Sequence, residues 1–253
     1  MAGPLILAYH GIATHSTGGQ GGLGLLVRPD ELRRDVRLLQ RWGYELVTVR
    51  HLAERLAAGS ADGLAALTFD DGLADNLEVG APVLAEFGVV GTTFCVSGWL
   101  GQPHPDVDGA RIMTADEVRT LRDAGWEIGA HTRTHPDLPT LTRDQARGEL
   151  QGSRKDLEEL LGEPVRSAAY PYGTASAETI EACREAGFTA AVRNSARGDW
   201  ADPLNLPRQD MEREQTGLSL RLKRRDLYEP LMERRAGRAA RRLSRLVRSR
   251  VGG

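Results

Sequence analysis

Two short stretches of this 253-residue chain carry residue types that do chemistry together. The first is TFDDG, where Asp70 and Asp71 stand side by side after the apolar run LAAL. Adjacent carboxylates repel, and neither favours a strand. An Asp-Gly pair is also an ordinary turn former, so taken alone this stretch reads equally well as a bend. The second is GAHTRTHPDL, about sixty residues later, with His131 and His135 four apart. Two imidazoles and one carboxylate make a frequent divalent-metal set that leaves coordination positions open. An ion held this way acidifies a water and polarises a carbonyl. Its charge also relieves the repulsion within the carboxylate pair, so one aspartate can ligate while its neighbour stays free as a base.

Both stretches follow apolar runs that read as strands, LAALTF and WEIGAH. PLILAYH, ELVTV, GTTFCVS, VRSAAYPYG, FTAAV and LNLPRQ read as further strands. Amphipathic stretches separate them. In PDELRRDVRLLQRWG, Leu32, Val36, Leu39 and Trp42 share one helical face, Asp30 and Glu31 suit its start, and Gly43 suits its stop. HLAERLAAG, ADNLEVGAPVLAEFG, TADEVRTLRDAG, TRDQARGELQGSRKDLEELLG and SAETIEACREAG repeat the theme. About eight short strands alternating with helices, with no second core and no fixed repeat, predict parallel strands. The pattern fits a barrel or a doubly wound sheet. In both, chemistry sits where strands end, which puts Asp70 and Asp71 on the functional face.

A third stretch, AYPYG, completes a family pattern. TFDDG, HTRTH and AYPYG, in this order, resemble the three motifs of the polysaccharide deacetylases, the NodB-homology domain of carbohydrate esterase family four. The resemblance spans roughly residues 5–210. It implies a distorted (β/α) barrel of about seven to eight strands over residues 1–215, followed by a basic helical tail over 216–253. It implies metal-dependent removal of acetyl from an N-acetylhexosamine-containing glycoside or saccharide. Position by position, it makes Asp70 the general base and Asp71, His131 and His135 the ligands of one divalent ion. Zinc comes first, and cobalt, nickel and iron tolerate the same donors. Tyr172 would offer its backbone N–H to the oxyanion, with Pro171 and Gly173 shaping that loop against the substrate. Amide hydrolysis independently asks for these parts: a polarised carbonyl, an activated water, a base and an oxyanion donor.

The leaving amine also needs a proton, and here the chain departs from many family members. Those use a histidine near the C-terminal end, whereas His10, His15, His51, His104, His131 and His135 all precede the third motif. His10, in LAYHG, lies just past the first strand. A branch acting on poly-N-acetylglucosamine begins with a similar Tyr-His, and its order of elements looks circularly permuted. This chain is closest to that branch, which implies His10 as general acid. Many members carry Arg two residues before the Pro of the third motif, where this chain has Ala169. Arg208, in LPRQD at a strand end, is expected to pair with Asp70 and orient it, with a plain surface Arg as the alternative. Asp199, in GDW, is a further substrate-side candidate. His15, His51 and His104 are expected to face solvent. GQGGLG at 19–24 matches G-x-G-x-x-G, but it lies some ten residues past its strand and Pro29 precedes the helix. It reads as a loop at the mouth of the site and not as a dinucleotide site.

The formal net charge of −2 is unevenly spread. Residues 221–250 hold twelve Lys/Arg against three Asp/Glu, a local +9 that leaves the body at about −11. Ala236, Ala240, Leu243 and Val247 recur at helical spacing in that tail. Such an arginine-rich helix suits peripheral contact with an anionic membrane, and a solvated helix is the alternative. The acidic body and the lack of a recognition module exclude nucleic acid as the main partner. Two cysteines, read as small half-buried residues, make neither a disulfide framework nor a thiolate zinc site. No basic leader and no apolar run of membrane length stand out, so a cytoplasmic protein is expected. Two alternatives stay open: hydrolysis of another non-peptide C–N amide, and a catalytically silent sugar-binding module.

Overall fold

The computed structural model describes residues 2–12, 26–194, 200–212 and 215–224. The GQGGLG loop, His15, Asp199 and tail residues 225–253 lie outside them. Ten strands are described: β1 Leu5–Tyr9, β2 Gly11–Ile12, β3 Leu26–Val27, β4 Glu45–Val47, β5 Leu64–Phe69, β6 Thr92–Cys95, β7 Glu127–Ala130, β8 Ser167–Ala169, β9 Ala190–Asn194 and β10 Leu206–Asp210. The α-helices are α1 Pro29–Arg41, α2 Val49–Ala57, α3 Ala81–Ala85, α4 Ala115–Asp123, α5 Arg143–Leu161, α6 Ala177–Glu185 and α7 Gly217–Lys223.

Seven strands close a parallel barrel in the order β1-β10-β9-β8-β7-β6-β5, and β1 pairs back onto β5. Every residue of β1 and β5 is buried, as expected of strands covered on both faces. The eighth strand, β4, is not a stave of its own. It pairs with the first half of β5 (Val47 with Ala66), while β6 takes the second half (Thr68 with Thr92). Of the two architectures the alternation allowed, this is the barrel.

One end of the barrel is sealed. Ile6, Ala66, Phe94, Ala169, Val192 and Leu206, from six different strands, cluster with Val49 and Leu52 of α2. The N-terminus of α2 meets the starts of β6 and β7. Val49 N–H donates to Thr92 Oγ1 (3.0 Å), and Arg50 N–H donates to Glu127 Oε2 (2.9 Å). Glu127 also accepts the hydroxyls of Thr92 (3.0 Å) and Ser167 (2.6 Å). A carboxylate at a helix N-terminus, with its oxygens filled, makes this buried charge tolerable. The open end is therefore the one at which the strands terminate, where barrels of this type carry their chemistry.

ADNLEVGAPVLAEFG does not form the single helix its pattern predicts. Asn76–Gly80 is a widened π turn, and α3 follows it. Pro82 lacks the N–H that a regular helix would donate to the carbonyl four residues back. Asn76 turns its side chain inward instead, donating to the His10 carbonyl (2.9 Å) and accepting from the Thr93 hydroxyl (3.1 Å). Cys95 and Cys183 are fully buried, and burial pushes both thiols up to about 12.

The chain divides into two compact units, Met1–Gln215 and Thr216–Gly253. The described part of the second is α7, whose first turn is capped by the Thr216 hydroxyl accepting from Ser219 N–H. No helix among the described residues is long and apolar enough to cross a membrane.

Candidate active site

The open end gathers side chains from four strand termini. His10, Asp70, Asp71, His131, His135 and Tyr172 all line one pocket of about 300 Å³. Among the described residues, the non-glycine residues with positive φ are Asp71 (67°), Thr132 (65°), His135 (60°) and Tyr172 (58°). All four belong to the three motifs. Left-handed backbone costs energy for a residue with a Cβ and persists where the surroundings over-determine it. At Asp71 it throws the carboxylate back over the barrel mouth beside Asp70.

Asp71 Oδ1, His131 Nε2 and His135 Nε2 converge. Oδ1 lies 3.7 Å from His131 Nε2 and 3.6 Å from His135 Nε2. Ligand atoms bonded at about 2.0–2.2 Å with tetrahedral angles stand roughly 3.4 Å apart, so the spacing fits one ion. Two further observations support that fit. Asp71 Oδ1 is buried and has no hydrogen-bond partner, an expensive state for a carboxylate oxygen. His131 Nδ1 donates to the Ala169 carbonyl (2.8 Å), which fixes the tautomer and leaves Nε2 as a bare lone pair aimed at the same point. The three residues form a group that could hold a metal ion. Burial drives the His135 imidazole down to about 4, with His131 beside it adding to the effect, so His135 is neutral and able to ligate at physiological pH.

The second carboxylate stands beside this set. Asp70 Oδ2 is 3.9 Å from His131 Nε2. Arg208 grips it with both arms of its guanidinium, Nη1 to Oδ1 at 2.6 Å and Nη2 to Oδ2 at 2.7 Å. Arg208 is thus no surface residue: its side chain is 0% exposed. Thr68 Oγ1 and Asn194 Oδ1 accept two further N–H groups at 3.1 and 3.0 Å. Burial would push the Asp70 carboxyl up, but Arg208 and then His131 outweigh it and hold the group below the usual carboxylate range. The sequence did not single out Asn194. It sits directly across from Arg208 in the β9–β10 register, a neighbour visible only once the strands are paired.

The third motif bends sharply. Gly173 has a φ of 66°, and a Cβ there would overlap Asn194, so only glycine fits between the two strand ends. The bend pushes the Tyr172 ring outward, 64% exposed, against the edge of His135 at 4.8 Å. Trp99 packs on His135 from another side at 5.1 Å. His10 is fixed by its backbone: Asn76 holds its carbonyl, and Asp75 Oδ2 accepts the Ile12 N–H (2.9 Å).

The loop between His131 and His135 is stapled to α5. Glu149 Oε2 accepts the backbone N–H groups of Arg133 (3.0 Å) and Thr134 (2.9 Å), and Oε1 accepts the Thr134 hydroxyl. A Glu149→Ala variant is expected to weaken zinc binding about tenfold while the protein stays folded, because the loop that holds His131 and His135 in register loses its anchor, an effect of the size seen for groups that orient metal ligands. A zinc titration against a chelating dye checks it, and an unchanged affinity contradicts the staple.

One expectation fails. His51 is exposed as predicted, but His104 is buried, and its Nε2 lies 3.2 Å from Asp71 Oδ2. The backbone pairing of its loop, described below, pulls it in.

A family model described as polysaccharide deacetylase matches residues 58–191, just over half of the chain. The match takes in all three motifs and leaves out His10 and Arg208. YxkH of Bacillus subtilis (strain 168), named for a polysaccharide deacetylase, is 26% identical over 189 residues, covering 74% of this chain and 63% of its own. A chitooligosaccharide deacetylase of Sinorhizobium fredii is 32% identical over 142 residues, covering 54% of this chain and 60% of its own. The chain thus spans less than two thirds of the length of either relative. Among solved structures, the Streptococcus pyogenes deacetylase PplD in complex with acetate superposes with a TM-score of 0.74 at 22% identity, covering 88% of this chain and 98% of that one. That likeness is one of fold. With the matched segment carrying all three motifs to one mouth of a closed barrel, the chain belongs to the polysaccharide deacetylase family.

Proposed function

We propose that this protein is a metal-dependent carbohydrate N-deacetylase, removing acetyl from an N-acetylhexosamine unit of a saccharide or glycoside as acetate. The observation that carries the reading is the orphaned Asp71 Oδ1 between the Nε2 atoms of His131 and His135, with an ionised carboxylate beside it. Asp71, His131 and His135 would hold the ion. Two nitrogens, one oxygen and open positions favour zinc. When bound, the ion supplies Lewis acidity toward the amide carbonyl and toward water.

The remaining work belongs to the chain. Asp70 takes the proton from the attacking water, and its pairing with Arg208 keeps it ionised and ready. The Tyr172 backbone N–H donates to the developing oxyanion, held in place by the bend at Pro171 and Gly173. His10, which lines the same pocket, delivers a proton to the departing amine. Trp99 and Tyr172 offer aromatic faces to the apolar side of a sugar ring. The name of the chitooligosaccharide deacetylase relative supports an N-acetylated saccharide as the substrate class.

An Asp70→Asn variant tests the reading. It is expected to retain its metal and to release acetate from N-acetylated chitooligosaccharides at least about 100-fold more slowly. Wild-type turnover in that variant removes Asp70 as the base. A zinc-loaded wild type that releases acetate from no N-acetylated saccharide would make the fold a silent binding module.

A further inference from the structure

We propose that His104 is a positioning residue for the metal centre, selecting which oxygen of Asp71 faces the ion. The inference rests on Asp71, His131 and His135 being that centre. His104 lies in a part of the chain that no motif covers. Its imidazole tautomer is set by its neighbours. Asp106 N–H donates to His104 Nδ1 (3.0 Å), so Nδ1 must be the bare nitrogen and Nε2 must carry the hydrogen. Nε2–H therefore donates to Asp71 Oδ2 (3.2 Å). With Oδ2 engaged, Oδ1 is left as the free oxygen, and it is Oδ1 that points between His131 and His135. The pair is sequestered, with side chains only 4% and 7% exposed.

The backbone shows that this contact is built. Residues 101–113 fold back on themselves: Gly101 N–H bonds the Met113 carbonyl, Ile112 N–H bonds Gln102, and His104 N–H bonds Ala110, each at 2.9 Å. The returning strand of this hairpin is laced to the segment just after Asp71. Met113 N–H donates to the Gly72 carbonyl and Ala74 N–H to the Arg111 carbonyl, both at 2.9 Å, with Leu73 bridged to Ile112. Below it, Leu73, Val107 and Ile112 form a small apolar cluster of their own with Leu26, and Trp99 packs against it. Trp99 also lies against both His104 (5.5 Å) and His135 (5.1 Å), so one indole braces a ligand and the partner of a ligand. The hairpin thus delivers a fixed donor to the far side of the metal-binding carboxylate. Without that donor, Oδ2 is a second free oxygen, and the carboxylate can swing or bind through both atoms.

Zinc titration of metal-free full-length protein against a chelating dye tests this without using turnover. His104→Phe keeps the ring and loses the donor. His104→Asn is too short to reach Asp71 and covers the case in which the Phe variant does not fold. His104→Gln retains an N–H at similar reach. Loss of the donor is expected to weaken zinc binding about 10- to 100-fold, with Gln recovering most of it. The absorption of bound cobalt is expected to change in the loss variants and to return toward wild type in Gln. Wild-type affinity in the loss variants, or an equal loss in Gln, overturns the assignment. A wild-type protein that takes up neither ion overturns the metal centre together with it.

Discussion

An Asp71→Asn variant is expected to lose its metal at micromolar zinc and to release acetate at least about 10³-fold more slowly. Asparagine is the right probe because residue 71 sits at a φ of 67°, a conformation Asn tolerates where Ala does not. The shape is kept and only the charge is removed. Two neutral imidazoles alone bind a divalent ion weakly, so the effect falls on binding before it reaches chemistry. Stability provides a second readout. Zinc that binds the folded form is expected to raise the melting temperature of the wild type and to leave that of Asp71→Asn unmoved. Equal zinc content in the two purified proteins would falsify the ligand assignment.

Arg208→Met is expected to cost about 3–5 kcal/mol of stability at neutral pH, the usual effect of stripping one partner from a buried ion pair. It leaves Asp70 enclosed with no guanidinium. The loss has a pH signature. In the wild type the folded Asp70 carboxyl lies below its unfolded value. Its contribution is therefore complete above the ordinary carboxylate range and fades as pH falls through the lower, folded value. In the variant, burial dominates and the carboxyl rises, so the acid is retained to higher pH. The gap between the two proteins is then widest near pH 7 and narrows toward pH 4. The acid limb of the pH–rate profile moves up in parallel. Urea unfolding at both pH values and the rate profile check this; equal midpoints at pH 7 would show the pair to be idle.

The catalytic strings were legible because their chemistry is local. Asp70 and Asp71 are adjacent, His131 and His135 are four apart, and the backbone places each group correctly once its strand ends. Parallel strands were legible from the alternation of apolar runs with amphipathic ones, whereas closure into a barrel was legible only through the family resemblance, because it is a single pairing, β1 on β5, between distant segments. Arg208 was reachable only as a charge at a strand end. Asn194 and His104 were not reachable at all. Asn194 matters because of the β9–β10 register. His104 sits in QPHPDVDG, which reads as a polar loop, and its burial comes from backbone bonds to residues 72–74 that leave no trace in local periodicity. Asn76 misled in the opposite sense. It suits a helix flank, yet it abandons regular winding to bridge His10 and Thr93.

The ring of strands closes through β10, which lies between β9 and β1 and brings Arg208 with it. Asp71 follows β5, and His131 and His135 follow β7, whereas Arg208 arrives with the last stave. Synthesis proceeds from the N-terminus. A nascent polypeptide on the ribosome therefore owns its cation donors well before it owns the guanidinium that keeps its base charged. Hydrolytic competence waits for the final strand to lock the ring.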